Sequence, residues 1–228
     1  MDITFPRHYR GPLTSANGGY ACGRLAAFVA AEDVEVTLRL PPPLDRPLAV
    51  ERDGDGVRLV DGAALVAEAR PSSVEVRAPA PVSIEVAEES REKHVRGWSP
   101  EFNECFVCGV RDDGLELRVG PVAGREPLHA SPIVLPESLP EIVWAAIDCP
   151  GAYAVGAQGR GDIVLGRMTA RVERVPEKGE QCVVASWPLG EDGRKLYAGT
   201  ALFAENGDLL AVARQTWIAP RASLPLEN

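Results

Sequence analysis

Two stretches of this sequence set reactive groups where a helix would present them. Asn17-Gly18-Gly19 heads an Ala-rich, nearly uncharged run, NGGYACGRLAAFVAA from Asn17 to Ala31. An Asn side chain accepts from free backbone N–H groups, which makes Asn17 an N-cap and starts the helix near Gly18. Amides at such an end, with no side chain in the way, can approach a carbonyl oxygen and stabilise the charge that attack places on it. Asp148 closes a second apolar run, SLPEIVWAAID (Ser138 to Asp148), with Pro140 and Glu141 suited to its first turn. A carboxylate beside Trp144, Ala145, Ala146 and Ile147 is costly to bury unless it is solvated, paired or used. Each feature also has a purely structural reading. Asn17 caps and the glycines permit close packing, while Asp148 caps the turn CPGA, where Pro150 breaks or kinks the helix.

The remaining candidates are weaker. Cys105-x-x-Cys108 has metal-ligand spacing, but a structural zinc site usually needs two such pairs, and His8, His94 and His129 show no partner spacing. The expectation is therefore packing and no metal. Cys22 and Cys149 lie on or beside the two helices and read as small buried residues, since no Cys–His pairing is evident. There is no G-x-S-x-G elbow and no glycine-rich phosphate loop of the P-loop or Rossmann kind.

The elements that must position these groups follow from the patterning. The chain has 228 residues, 45% of them hydrophobic and 25% charged, enough for one large domain or two small ones with a real core. Its net charge, 24 − 33 = −9, repels phosphate backbones, so nucleic acid is not an expected partner. No apolar run approaches the roughly 20 residues that span a bilayer. Five scattered cysteines argue for reduced thiols, and MDITFPRHYR lacks the segments of a secretory signal; a cytoplasmic protein is expected.

Val34, Val36, Leu38 and Leu40 alternate with polar residues, the period of a strand with one buried face. Further strands are expected at 47–52, 56–60 and 63–70, separated by Asp-Gly turns. Residues 71–104, with Pro71, Pro79 and Pro81, read as a connection carrying a short exposed helix within 82–95. After the second helix come strands at 163–175, 180–189, 194–205 and 209–218. Both halves thus run helix, long strand and three more strands with Asx-Gly turns. VTLRL (36–40) also matches MTARV (168–172), and LVAEAR (65–70) matches LLAVAR (209–214).

An apolar helix wrapped by an antiparallel sheet, given twice, is the hot-dog layout. GPLTSANGGYACGRLA, ECFVCGVRDDGLELRV and EIVWAAIDCPGAYA resemble double hot-dog, thioesterase-like proteins of the acyl-CoA thioesterase and phenylacetate-type superfamily. The resemblance covers nearly the whole chain. It implies an α+β fold, a tandem hot-dog with two antiparallel sheets each wrapping a central helix. The units are expected at 1–80 and 105–228, joined by 81–104. It also implies hydrolysis of acyl thioesters of coenzyme A or acyl carrier protein, with no cofactor.

Related thioesterases carry His-Gly-Gly where this chain has Asn17-Gly18-Gly19, so the backbone role is expected and an acid–base role for Asn17 is not. In the superfamily a helix carboxylate acts as nucleophile or orients the attacking water, a placement that Asp148 matches. The first helix lacks an acid and the second lacks the Gly-Gly start. One composite site is therefore expected, Asn17, Gly18 and Gly19 facing Asp148, with Tyr20, Trp144 and Arg167 as substrate contacts and the mirror-related site dead. Arg160, Arg167, Arg171, Arg174 and Lys178 could hold coenzyme A phosphates, but their alternation with apolar residues fits a solvated strand face better. The fused halves form an intrachain pseudo-dimer, so a homodimer is optional. The alternative is an acyl or coenzyme A binder without hydrolase activity. A hot-dog dehydratase would want a His near Asp148, and the sequence offers none.

Overall fold

In the computed structural model, which describes residues 1–95 and 99–220, Asn17 opens a helix as its side chain requires. Residues 96–98 of the expected connection and 221–228 of the expected second unit lie outside the described residues. Asn17 Oδ1 accepts the amide of Tyr20, and the helix runs over Gly18–Ala26, ending before the expected Ala31. In chain order the elements are β1 (Asp2–Thr4), α1 (Gly18–Ala26), β2 (Asp33–Leu38), β3 (Pro47–Asp53), β4 (Gly56–Asp61) and β5 (Ala64–Pro71). Next come α2 (Ile84–Glu92), β6 (Gly120–Pro121), β7 (His129–Val134), α3 (Pro140–Ala146) and α4 (Cys149–Ala154). The chain then builds β8 (Val164–Val172), β9 (Gln181–Asp192), β10 (Lys195–Ala204) and β11 (Leu209–Ile218).

All strands belong to one 11-stranded sheet in the order β1-β3-β4-β5-β2-β8-β11-β10-β9-β7-β6. Read outward from the middle, β2-β5-β4-β3-β1 has the same connectivity as β8-β11-β10-β9-β7. The repeat inferred from element order is therefore a repeat of topology. The expected two sheets are instead a single one, because β2 pairs antiparallel with β8, Val34 opposite Ala170 and Val36 opposite Met168. All four of these side chains are buried. Joining there covers an edge that each half would otherwise leave with unpaired amides and carbonyls.

Helix α1 lies against α3 and against β2, β5 and β8, whereas α4 lies against β9, β10 and β7. The main hydrophobic cluster draws on both halves, with Leu25 and Leu59 from the first and Ile142, Ile163, Met168 and Leu210 from the second. Fully burying each such side chain contributes about 1.5–3 kcal/mol.

Three local expectations change. The apolar run 138–148 is not one helix: α3 stops at Ala146, and Asp148 sits in the break (φ −82, ψ −77) before α4 restarts with Pro150 in its first turn. Proline cannot donate to the preceding turn, which accounts for the break. Helix α2 is not simply exposed; Ala87 is buried in a second, smaller cluster with Val82, Val122, Leu128 and Phe203. Strands β1, β6 and β7 were not expected, being short or interrupted by proline. Among the described residues no helix is long and apolar enough to cross a membrane.

Candidate active site

The break between α3 and α4 carries Asp148 to the N-terminal end of α1. The two helices meet closely because Gly19 has no side chain. A Cβ there would lie 2.5 Å from both Asp148 Cβ and the Trp144 carbonyl oxygen. At this contact the Gly19 amide donates to Asp148 Oδ2 at 2.8 Å, and Asn17 Nδ2 donates to the same oxygen at 3.0 Å. Asn17 thus uses both ends of its amide, since its Oδ1 accepts from Tyr20 N at 2.9 Å. Asp148 Oδ1 is buried with no hydrogen-bond partner among the described residues. The structural alternative for Asp148, a side-chain cap on the following turn, is not what the carboxylate does: it makes no cap bond to α4.

Burial is the largest influence on this acid and pushes it up from 3.8 to about 7. The Gly19 amide pulls the other way, the nearby Cys105 sulfur pushes further up, and Asn17 pulls down. Asp148 is therefore poised to change its protonation near neutrality.

A cleft of about 310 Å³ opens beside these groups at the β2–β8 seam. Asn17, Gly18, Cys105, Asp148 and Cys149 lie at its polar end. Leu38, Leu40, Pro41, Val164, Leu165 and Ile218 form apolar walls. Its apolar walls and polar end are suited in shape and chemistry to a ligand with an apolar chain and a polar terminus.

The expected oxyanion donors divide. The Gly19 amide is spent on Asp148, and the Tyr20 amide on Asn17. The Gly18 amide makes no hydrogen bond among the described residues, and Gly18 lines the cleft. The Gly19 amide is thus occupied by the Asp148 carboxylate.

The expected substrate contacts lie elsewhere. Tyr20 is buried and stacks on Tyr9, with ring centroids 4.1 Å apart, because its position in α1 points it into the core. Trp144 is buried against Gly23 on the far side of the α1–α3 contact. Arg167 donates to Thr37 Oγ1 at 3.0 Å across the seam. None of these three lines the cleft. The arginine group is largely neutralised: Arg160 pairs with Glu191, Arg167 with Glu35, Arg171 with Asp33 and Glu173, and Arg174 with Glu180. That is the solvated strand face of the sequence reading.

Two features escaped the sequence. Gln215 Nε2 donates to the carbonyls of Ile147 at 2.6 Å and Asp148 at 3.1 Å, pinning the helix break, and its Oε1 accepts from Trp217 Nε1 at 2.8 Å. A polar residue at an inward strand position is the signal that could have found it. The other is the approach of Cys149, read from sequence as a small buried residue, to Cys105. Its Sγ lies 3.7 Å from Cys105 Sγ, and Asn17 Nδ2 is 3.8 Å from both sulfurs. Hydrogen bonds from the Cys108 and Cys149 thiols hold the Cys105 thiol well below its ordinary range. Cys22, buried off this cluster, is pushed up by burial and so kept protonated.

No protein-family model matches the chain, and no curated protein matches it in sequence. Solved structures do. A conserved protein of unknown function with a hot-dog fold from Alicyclobacillus acidocaldarius superposes with a TM-score of 0.65 at 13% identity, over 97% of this chain and 93% of that one. The acyl-CoA thioesterase II TesB2 of Mycobacterium marinum gives 0.53 at 11% identity, over 84% and 82%. The dehydratase domain of a mycocerosic acid synthase-like polyketide synthase gives 0.60 at 14% identity, over 96% and 90%. The fold is a hot-dog fold, and the connectivity of its single sheet repeats on either side of the β2–β8 pair. Proteins of more than one named activity share it, so the chemistry must be argued from the site.

Proposed function

We propose that this protein hydrolyses acyl thioesters, with coenzyme A as the carrier, at the cleft beside Asp148. The observation that carries this reading is the asymmetry of the Asp148 carboxylate. Oδ2 is clamped by Gly19 N–H and Asn17 Nδ2, and among the described residues Oδ1 has no protein donor, in a site that borders an apolar cleft. A carboxylate fixed in this way is a general base with one free oxygen.

In the proposed reaction the acyl chain lies along Leu38, Leu165 and Ile218. Asp148 Oδ1 takes a proton from water as the water oxygen bonds to the thioester carbonyl carbon. The carbonyl oxygen becomes an oxyanion and receives the Gly18 amide at the positive end of α1. Collapse expels the thiolate, which recovers the proton from Asp148, leaving a carboxylic acid and a free thiol. Burial makes the carboxylate basic enough to take the proton from water near pH 7, and the expelled thiolate, a stronger base still, takes it back. That a structural relative is an acyl-CoA thioesterase II supports coenzyme A as the carrier. Hydration or dehydration of an acyl chain is the less favoured chemistry, because no histidine lines the cleft among the described residues.

The experiment is release of free thiol from a panel of acyl-CoA esters, followed with a thiol reagent. Turnover that disappears in Asp148→Asn supports the assignment. Binding of the esters without thiol release by the wild-type protein overturns hydrolysis and leaves a binder.

A further inference from the structure

Three thiols converge beside the cleft, two of them, Cys105 and Cys149, in its lining. The sulfurs of Cys105, Cys108 and Cys149 all lie within 4.8 Å of one another. Two come from one tight turn, and the third comes from the first turn of α4, 44 residues away. The sequence spacing left Cys105 and Cys108 without a further ligand; the fold supplies it.

The turn is built around its sulfur. Val107 N–H donates to Cys105 Sγ at 3.4 Å. Gly109 N–H donates to the Cys105 carbonyl at 2.9 Å, which folds the chain back over that residue. Only glycine fits there, since a Cβ would sit 2.5 Å from Cys105 N and O and 2.7 Å from the Asn103 carbonyl oxygen. Asn17 Nδ2 approaches two of the sulfurs at 3.8 Å. Backbone and amide donors aimed at sulfur are the surroundings that stabilise a metal-bound thiolate.

We propose that Cys105, Cys108 and Cys149 form a binding site for a thiophilic d10 cation, zinc(II) in the first place. Zinc–sulfur bonds of about 2.3 Å in a tetrahedron put neighbouring sulfurs about 3.8 Å apart. The Cys105–Cys149 separation of 3.7 Å already has this value. The widest separation of 4.8 Å needs a contraction of about 1 Å. Three thiolates leave one tetrahedral position, and Cys105 and Cys149 line the cleft, so a fourth ligand can enter from there. Binding exchanges thiol protons for the cation. The site is built from residues that the hydrolysis proposed above does not use as base or oxyanion donor.

The test uses the full chain, reduced, stripped of metal and kept anaerobic, with cobalt(II) as the probe. One equivalent gives a sulfur-to-cobalt charge-transfer band in the near ultraviolet and intense visible bands of tetrahedral cobalt. One equivalent of zinc(II) then removes them, while a parallel titration with copper(I) tells the two d10 cations apart. Cys149→Ser and Cys108→Ser weaken the charge-transfer band and lower cobalt affinity at least tenfold; Cys22→Ser does neither. Cys108 is only half-buried, so its variant remains informative where Cys149→Ser fails to fold. Asp148→Asn keeps the bands, which separates this site from the reading of the hydrolysis. Absence of a thiolate band at equimolar cobalt overturns the proposal, as do bands that are unchanged in a folded Cys108→Ser or Cys149→Ser protein.

Discussion

The carboxylate of Asp148 is held by the backbone amide of Gly19, 2.8 Å away and 129 residues earlier in the chain. Each half of the molecule contributes one partner to that bond. Replacing the acid tests what the bond is for. Asp148→Asn can still accept from Gly19 and Asn17, so the fold should persist. Loss of the base should lower kcat by 10²–10⁴, the usual worth of general base catalysis. Thiol release and circular dichroism measured on the same preparation check both halves of the statement.

The titration of Asp148 predicts how the rate depends on pH. The reactive form is the carboxylate, and burial sets its pKa at about 7. On metal-free, reduced protein, kcat/KM should therefore rise through pH 7 and level off above it. The thiols of Cys22, Cys105, Cys108 and Cys149 lie near the acid; reducing conditions keep them from oxidising, and Cys105, held below its ordinary range by its neighbours, is the one whose charge acts on Asp148. A profile that is flat from pH 5.5 to about 8.5 contradicts Asp148 as the base.

Stability should move the other way. A carboxyl with a folded pKa raised above its unfolded value of 3.8 favours the folded state only while protonated. Its contribution is intact below pH 3.8 and is lost as pH climbs through 7. Asp148→Asn removes that loss. The stability advantage of the variant over wild type, read from denaturant melts, should be small at about pH 4.5 and grow by about pH 8, towards the order of 4 kcal/mol.

Gly19→Ala should destabilise by about 1–3 kcal/mol, because the added methyl meets Asp148 Cβ and the Trp144 carbonyl at 2.5 Å. Relief requires α1 to move off α3, which displaces Asp148 from its amide. Activity should fall by more than the fraction unfolded explains, as thermal melts and kcat together would show.

Asn17 serves two purposes that substitution can separate. Asn17→Ser keeps a capping oxygen but loses the Nδ2 donor to Asp148, and that donor lowers the acid's pKa. The pH–rate profile should shift to higher pH with little change in Tm. Asn17→Ala loses the cap as well, at a further cost of about 1 kcal/mol.

Much of this arrangement was legible before the coordinates. Asn17 as a cap, glycines at a close helix approach and a buried acid after Trp144 follow from residue type and position. The strands β2 to β5 and β8 to β11 follow from period-two alternation and Asx-Gly turns. What local pattern does not encode is which edges pair. One sheet in place of two depends on β2 meeting β8, a contact between residues about 135 positions apart. The same limit hid Cys149 from Cys105, and Gln215 from the carbonyls of Ile147 and Asp148. Helix position alone does not say which side of a helix faces a neighbour, and Tyr20 and Trp144, expected as substrate contacts, face away from the cleft beside Asp148.

The β2–β8 junction has an evolutionary corollary. Two identical subunits meeting in this way would repeat every substitution at both ends of their twofold axis. A single polypeptide carries no such obligation. The leading half can carry the bare glycines that open α1 while the trailing half carries an acid and a thiol, with no twofold copy of either imposed on the other half.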